Sequence, residues 1–368
     1  MRRRAFLTAM TASKELAQYG LGRGGAGARV LGSLGAATGL CASAAIGAPK
    51  IMKPKVLKKG DTVGFVTPST YVSSPDEIAT ALRTAEYFGL KVKMGPNVRK
   101  RAGYLGGSIA ERAGDVNAMF ADAEVKAIFA IRGGYGSAQI LPALDYDAIA
   151  KNPKIFQGYS DITAMHLAIH QKTGLVTFHG PVMLSGFTPY TIEHFKRALF
   201  QTKPIGSVTN PAESNPLRPN HTLRTVKGGK ARGPIVAGNL TLISTTMGTP
   251  YEIDTRGKIL CLEDVGEEPY SMDRMLTQLR LSGKLDAAAG VVFGECSRCA
   301  PRDYRPGFDS NFSLGEIVDD ILGGLRIPVL AGLTFGHTAD QLTLPLGCMA
   351  ALDADAGTLT IEESGVVD

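Results

Sequence analysis

Short apolar blocks alternate with segments of helical periodicity through the first half of the chain. The blocks lie at 61–66, 90–94, 125–131 and 155–156, and we interpret them as strands. Between them, Ser74 and Ser108 each precede a glutamate by three residues, a capping box that predicts the start of a helix. Strands that alternate with helices predict a mostly parallel sheet covered on both faces.

A second unit of the same character follows a change in composition. Residues 201–229 are rich in proline, asparagine, lysine and glycine and show little periodicity, so we interpret them as an interdomain connection. It would join a domain at 50–200 to one at 230–368, in line with a length of 368 residues. The strands and the hairpin predicted in the second domain lie at 259–262, 290–293, 328–330 and around 353–357. The chain is therefore predicted to be an α/β protein with two domains.

The first 48 residues differ from the rest. Arg2-Arg3-Arg4-Ala5-Phe6-Leu7 contains the Arg-Arg-x-Phe-Leu pattern of a twin-arginine export signal. A weakly apolar stretch at 30–46 follows, and Ala42-Ser43-Ala44 offers a cleavage site. We interpret residues 1–48 as an export leader, which predicts a periplasmic protein. The alternative is a basic N-terminus without an export function, on a cytoplasmic protein.

The leader also holds most of the net charge. It contains six of the 40 basic residues and one of the 34 acidic ones, so the formal net charge falls from +6 for the whole chain to +1 from Ala45 onward. A nearly neutral chain lacks the electrostatic footprint of a nucleic-acid-binding protein, so no such partner is expected. Since no run of about 18 apolar residues occurs, no integral membrane span is expected either.

Two spacings could in principle hold a metal ion, and neither is convincing. Cys296 and Cys299 form a CxxC without a second pair or nearby histidines, so chance spacing or a surface disulfide are the remaining interpretations. His166 and His170 share a helix face, but the glutamate of an H-E-x-x-H motif is missing. We expect no metal site.

The most informative stretch for chemistry is Gly158-Tyr159-Ser160-Asp161. It follows the apolar pair at 155–156 and leads directly into a helical pattern. A strand that turns sharply into a helix exposes one side chain at the turn, here the hydroxyl of Ser160. The match to a nucleophile elbow is partial, because Ile162 occupies the position of the second glycine. A Ser-Asp helix cap is the alternative.

A serine nucleophile needs a base and a group that orients the base. His337 follows a glycine at a predicted strand end of the second domain, where its side chain could face an interdomain cleft. Glu263 ends the apolar strand at 259–262, and it either caps the neighbouring turn or holds an imidazole. The glycine-rich loop at 132–136 could cradle a phosphate or offer backbone N–H groups to an oxyanion, and we favour the oxyanion.

Six ordered motifs together resemble the LD-carboxypeptidase family of serine peptidases (muramoyl-tetrapeptide carboxypeptidases), whose relatives include the microcin C immunity peptidases. The resemblance covers about Lys55 to the C-terminus. It implies a parallel-sheet α/β domain of the flavodoxin or amidotransferase type, followed by a C-terminal swivelling β/α domain. One departure is Ala237, where a glycine is common. The motifs are Arg132-Gly133-Gly134-Tyr135-Gly136, Asn152-Pro153-Lys154 with Gly158 to Thr163, His179-Gly180-Pro181, Ala237-Gly238-Asn239-Leu240, Leu262 to Glu267, and Gly336-His337.

The resemblance also implies the roles of individual residues. Ser160 would be the nucleophile, His337 the general base and Glu263 its orienting acid. The backbone amides of Gly134 and Asp161 would form the oxyanion hole. Four further residues are candidates for substrate binding, and among them Arg274 is the hypothetical partner of the substrate carboxylate: Tyr135, His179, Asn239 and Arg274.

The implied reaction is hydrolysis of the bond between an L-centre and the terminal D-alanine of a murein tetrapeptide, through an acyl-enzyme and without a metal or organic cofactor. A muropeptide would be the substrate, and the family implies a homodimer. Two other functions remain open: an immunity-type peptidase acting on peptidyl or aminoacyl nucleotides, and a non-catalytic periplasmic muropeptide-binding protein.

Overall fold

Two sheets, each covered by helices, organise the chain in the computed structural model. It describes residues 50–212, 215, 217, 219, 221–302 and 306–368. The leader predicted at 1–48 lies outside the described residues. The described part contains fourteen strands: β1 (Thr62–Val66), β2 (Lys91–Met94), β3 (Val125–Ala130), β4 (Ile155–Gly158), β5 (Phe178–His179), β6 (Gly206–Val208), β7 (Arg224–Lys227), β8 (Lys230–Asn239), β9 (Ile259–Val265), β10 (Gly290–Ser297), β11 (Val329–Leu333), β12 (Leu344–Pro345), β13 (Met349–Asp353) and β14 (Thr358–Ile361).

Two short 3-10 helices, Leu141–Ala143 and Ser160–Ile162, and ten α-helices connect these strands within the described residues: α1 (Pro75–Tyr87), α2 (Ile109–Ala121), α3 (Ser137–Ile140), α4 (Tyr146–Lys151), α5 (Thr163–Thr173), α6 (Pro189–Leu199), α7 (Leu240–Thr245), α8 (Pro269–Leu281), α9 (Lys284–Ala287) and α10 (Leu314–Ile321). The capping boxes predicted at Ser74 and Ser108 are confirmed, since each serine hydroxyl accepts a bond from the glutamate amide three residues on.

The first sheet has the strand order β12-β5-β4-β3-β1-β2. The five strands β1 to β5 are mutually parallel, and the short β12 pairs with β5 in the antiparallel direction. Five of the six residues of β3 are buried, as expected of a strand covered on both faces. The α/β class predicted from the alternating pattern is confirmed.

The second sheet has the order β6-β14-β13-β8-β9-β10-β11-β7. Its central strands β8 to β11 are parallel, and the strands outside them are antiparallel. The segment 201–229, expected to connect the domains, supplies both edge strands, β6 and β7. It is thus part of the second sheet, which low periodicity could not indicate.

The last third of the chain crosses between the two sheets. β11 lies in the second sheet, whereas β12 pairs with β5 of the first, with Leu344 opposite His179. The chain between β11 and β12 therefore runs from one sheet to the other. His337 lies on this connection.

Candidate active site

Ser160 lies at a strained turn directly after β4. Its backbone φ is 65°, and among the described residues only Arg298 is another non-glycine residue with positive φ. This conformation costs a residue with a Cβ atom about 1–2 kcal/mol. The turn is tight, since a Cβ atom at Gly158 would lie 3.0 Å from the Ile162 side chain. A strained serine between a strand and a helix is the geometry expected of a nucleophile elbow.

A continuous hydrogen-bonded chain joins Ser160, His337 and Glu263. The distance from His337 Nε2 to Ser160 Oγ is 2.9 Å, and that from His337 Nδ1 to Glu263 Oε2 is 2.7 Å. The His337 backbone N–H also donates to Glu263 Oε2, at 3.3 Å. Because a carboxylate only accepts, Nδ1 carries the ring proton and leaves Nε2 free to accept from the serine hydroxyl. The side chain of Glu263 is fully buried, whereas that of His337 is 18% exposed.

The glycine loop after β3 lies against Ser160. A Cβ atom at Gly133 would lie 3.0 Å from the Cβ atom of Ser160, and one at Gly134 would overlap Thr70 Oγ1 at 2.2 Å. Gly134, with a φ of 113°, therefore requires glycine, and Gly133 leaves little room for a side chain. Tyr135 N–H donates to Thr70 Oγ1 at 3.0 Å, which fixes the loop.

The carboxylate of Asp161 is committed to hydrogen bonds within the fold. Its side chain is buried, and Oδ2 accepts hydrogen bonds from Ser69 Oγ at 2.5 Å and from Ser137 N–H at 2.7 Å. Ser137 Oγ donates to the Asp161 carbonyl oxygen. In the part of the chain that the structure describes, the backbone N–H groups of Asp161 and Gly134 have no acceptor. Both amides are free to stabilise an anion at this turn.

Arg112 is a buried residue of the site that sequence reasoning missed. Its Nη1 donates to the carbonyl oxygens of Pro68 and Gly136 at 2.6 and 2.7 Å, and Nε donates to that of Gly107 at 3.1 Å. Burial lowers the pKa of this guanidinium, and the charge of Asp161 raises it. One side chain thus ties together the loop after β1, the start of α2 and the glycine loop.

The sequence pattern around Arg112 could have indicated that its side chain is buried. Arg112 precedes Val116 by four residues and Met119 by seven, so it falls on the apolar face of the predicted helix. A charged residue there must find buried partners, and the carbonyl groups of irregular loops are the usual ones.

A cavity of about 340 Å³ opens in front of Ser160. Its wall includes the charged side chains of Arg132 and Glu77 and the imidazole of His337. Its remaining wall is formed by Gly133, Gly134, Tyr159, Val182, Leu184 and Ser185.

The four residues predicted to bind substrate do not line this cavity. The Tyr135 ring is exposed and contacts the Tyr104 ring, with the ring centroids 5.6 Å apart. Asn239 caps α7 by accepting from Leu242 N–H, and it donates to Asp264 Oδ1. The structure therefore commits the Asn239 side chain to the fold.

Arg274 and His179 also lie away from the cavity wall. Arg274 is on α8, where its guanidinium donates to Ser271 Oγ and lies 5.5 Å from the Tyr270 ring centroid. His179 is fully buried. Its Nε2 lies 3.9 Å from Glu263 Oε1, the carboxylate oxygen that is not hydrogen-bonded to His337. Burial and the neighbouring histidines hold the pKa of His179 well below its usual value, so it is neutral.

The described ranges contain neither a metal-ligand cluster nor a membrane-spanning helix. There, no group of three or more histidine, cysteine, aspartate or glutamate side chains could hold a metal ion. Within the same ranges no helix is both long enough and apolar enough to cross a bilayer. Cys296 and Cys299 are free thiols.

Comparison with known proteins identifies both halves of the chain. Residues 63–180 match the LD-carboxypeptidase N-terminal domain, and residues 232–352 match the LD-carboxypeptidase C-terminal domain. The probable murein peptide carboxypeptidase of Bacillus subtilis is 42% identical, over 84% of this chain and 94% of its own.

Two solved structures share the fold. The microcin self-immunity protein MccF, in complex with glutamyl sulfamoyl guanosine, is 30% identical with a TM-score of 0.76, over 86% of this chain and 99% of its own. Muramoyltetrapeptide carboxypeptidase from Oxalobacter formigenes is 30% identical with a TM-score of 0.71, over 83% of this chain and 100% of its own. The chain belongs to the LD-carboxypeptidase family of serine peptidases.

Proposed function

We propose that this protein is a serine carboxypeptidase that removes the terminal D-alanine of murein tetrapeptides, in the turnover of peptidoglycan. The observation that carries the proposal is the hydrogen-bonded chain from Ser160 Oγ through His337 to Glu263, at the edge of a cavity. The similarity to murein peptide carboxypeptidases supports the substrate class.

The geometry supports a mechanism in two half-reactions. His337 Nε2 accepts the proton of Ser160 as Oγ attacks the scissile carbonyl carbon, and Glu263 stabilises the imidazolium that forms. The amides of Gly134 and Asp161 donate to the oxyanion, with about 3–4 kcal/mol of transition-state stabilisation lost for each donor removed. His337 then protonates the leaving amine of D-alanine. In the second half-reaction, water attacks the acyl-enzyme carbonyl with His337 again as the base, the bond to Ser160 Oγ breaks, and His337 returns the proton to that oxygen.

The decisive experiment is mass spectrometry of a tetrapeptide digest with the wild type and with Ser160→Ala. The wild type should remove one alanine, and the variant should be slower by about 10⁴-fold or more in kcat. Ser185→Ala is the matched control, because it deletes a hydroxyl from the same cavity wall and leaves the His337 contacts intact. Full activity in Ser160→Ala would refute Ser160 as the nucleophile.

A second candidate is a peptidase of the immunity type, and the similarity to MccF favours it. It would use the same three side chains on an aminoacyl or peptidyl nucleotide analogue. Parallel digests of a glutamyl sulfamoyl nucleoside and of the tetrapeptide distinguish the two, since the preferred substrate should show the higher kcat/KM. Binding of muropeptide without release of D-alanine would instead indicate a non-catalytic binding protein.

We also propose export to the periplasm, on the basis of the Arg-Arg-x-Phe-Leu sequence near the N-terminus. Cell fractionation with sequencing of the mature N-terminus tests it, and a cytoplasmic protein that retains Met1 would contradict it. The homodimer expected from the family stays a prediction, which light scattering at several concentrations tests.

A further inference from the structure

The cavity contains a cation that the proposed mechanism does not use. Arg132 follows β3 directly and precedes Gly133, the residue packed against Ser160. Its Nη1 donates hydrogen bonds to Glu77 Oε1 at 3.3 Å and to the Tyr71 carbonyl oxygen at 3.4 Å. Among the described residues, its Nε and Nη2 have no hydrogen-bond acceptor. One corner of the guanidinium is thus anchored, and its other edge is free.

Glu77 is fully occupied in holding this arginine and the start of α1. Its Oε2 accepts from Ser73 N–H, Ser73 Oγ and Ser74 N–H, and its Oε1 faces Arg132. Burial raises the pKa of Glu77, but the hydrogen bonds from Ser73 and Ser74 and the charge of Arg132 lower it overall. Glu77 is therefore an ionised anchor for Arg132, and its own carboxylate has little capacity left for a substrate.

The position of Arg132 matches what a carboxypeptidase must recognise. The free carboxylate of its substrate lies one residue beyond the scissile bond, so its partner must lie close to the nucleophile. Arg132 is next in sequence to the glycine that contacts Ser160, and it is the only Lys or Arg in the described cavity wall. A guanidinium edge with two adjacent N–H groups binds a carboxylate in a bidentate manner. Arg274, on α8, is not in that wall.

We propose that Arg132 binds the terminal α-carboxylate of the substrate through Nε and Nη2 and so restricts cleavage to the last residue. This inference rests on the proposed carboxypeptidase function and names the group that determines its exo-specificity. Glu77 and the Tyr71 carbonyl hold the guanidinium in place before substrate arrives, which reduces the entropy lost on binding.

The test compares two substrates that differ only in the terminal charge: a tetrapeptide ending in D-alanine and the same peptide ending in D-alaninamide. The wild type should prefer the free acid by about 100-fold in kcat/KM, as expected for hydrogen bonds to a charged group. In Arg132→Met, kcat/KM for the acid should fall about 100-fold while that for the amide changes less than about threefold. Arg132→Lys should restore part of the preference, because it keeps the charge but loses the fork.

The outcomes separate a substrate contact from a structural role. If Arg132→Met slows both substrates equally, Arg132 only supports the loop and the inference is wrong. Arg83→Met is the control, because it removes an exposed cation of α1 that lies outside the cavity wall, and it should leave the preference unchanged. Equal rates on acid and amide in the wild type would also overturn the proposal.

A binding measurement distinguishes this inference from the proposed function. In the Ser160→Ala background, calorimetry should show tighter binding of the acid than of the amide, and Arg132→Met should remove the difference. If the wild type cleaves neither peptide, the proposed function fails. If Arg132→Met also leaves the binding preference unchanged, the inference about Arg132 fails as well. If the wild type cleaves the acid and Arg132→Met keeps the preference, only the inference about Arg132 fails.

Discussion

Ser160, the predicted nucleophile, has a backbone conformation that suits glycine better than serine. At a φ of 65°, the Cβ atom of any L-residue is strained, whereas glycine is not. The Cβ atom of Ser160 also lies close to the backbone of Gly133, where an added Cβ atom would be only 3.0 Å from it. The serine is retained at the cost of stability, which is common where a side chain must be presented to a substrate.

Two inactive variants measure this strain. Ser160→Gly and Ser160→Ala both lack the hydroxyl, but only Gly relieves the positive φ. We expect Ser160→Gly to be more stable than Ser160→Ala by about 1 kcal/mol in urea unfolding. Equal stability of the two variants, or a more stable Ala variant, would show that the turn is not strained in solution.

At the scale of elements, the site depends on how loops are tied to helices. Arg112 projects from α2 and donates to carbonyl oxygens of three irregular segments, including that of Gly136 in the glycine loop. These carbonyl groups lie in irregular backbone and need a donor. α2 therefore holds the glycine loop in place through the side chain of Arg112.

Replacing Arg112 with Met should leave these acceptors unpaired. We expect a loss of about 3 kcal/mol in the free energy of unfolding, because each unpaired buried group costs about 1–3 kcal/mol and some recover water. We also expect a fall of kcat with little change in KM, because the amide of Gly134 would lose its fixed position. Arg112→Lys should recover part of the lost free energy of unfolding and part of the lost kcat.

The matched control for Arg112 is Arg83→Met. Arg83 is exposed on α1, where it bonds to the Thr80 hydroxyl, and its removal should change stability by less than about 0.5 kcal/mol. Urea unfolding and steady-state kinetics check both variants. A fully active Arg112→Met enzyme would show that the glycine loop keeps its shape without Arg112.

At the scale of the whole molecule, the chain segment that carries His337 joins the two sheets. It leaves β11 of the second sheet and enters β12, which pairs with β5 of the first. On the way, the His337 carbonyl oxygen accepts from Ser297 Oγ at 2.5 Å, next to the end of β10. The distance between His337 and Ser160 is therefore set by the packing of both sheets.

Several buried neutral histidines predict that the whole molecule is sensitive to acid. Burial lowers the pKa of His166 and of His194 to about 4, and that of His179 well below its usual value. Below pH 6.5 the unfolded chain binds protons that the folded chain excludes, so stability falls as pH drops from 6.5 toward 4. For the fully buried His166 alone, the loss at pH 5 should be about 2 kcal/mol.

Urea unfolding at pH 7.5 and pH 5.0 tests this acid sensitivity. His166→Gln keeps a donor for the Gly158 carbonyl oxygen, which His166 Nε2 approaches at 2.8 Å, but it cannot titrate. The variant should therefore lose less stability than the wild type between the two pH values. An equal loss in both proteins would show that His166 is not responsible.

The sequence by itself determined the local features, because their physical causes are local. The capping boxes at Ser74 and Ser108 and the buried strand β3 depend on residues within a few positions of each other. The turn at Ser160 and the neighbouring glycine loop were recognisable for the same reason. The catalytic roles of these residues stay predictions until the variants above are measured.

Only the tertiary structure decided which distant groups meet. The edge strands from 201–229 and the crossing to β12 depend on sheet edges that exist only in the folded chain. The cation in the cavity is Arg132 rather than Arg274, because side-chain direction follows from the packing of elements far apart in sequence. The same packing brings Glu263 of β9, and His337 of the connection between β11 and β12, to the serine that follows β4, since long-range contacts are specified by the whole core and not by any one stretch.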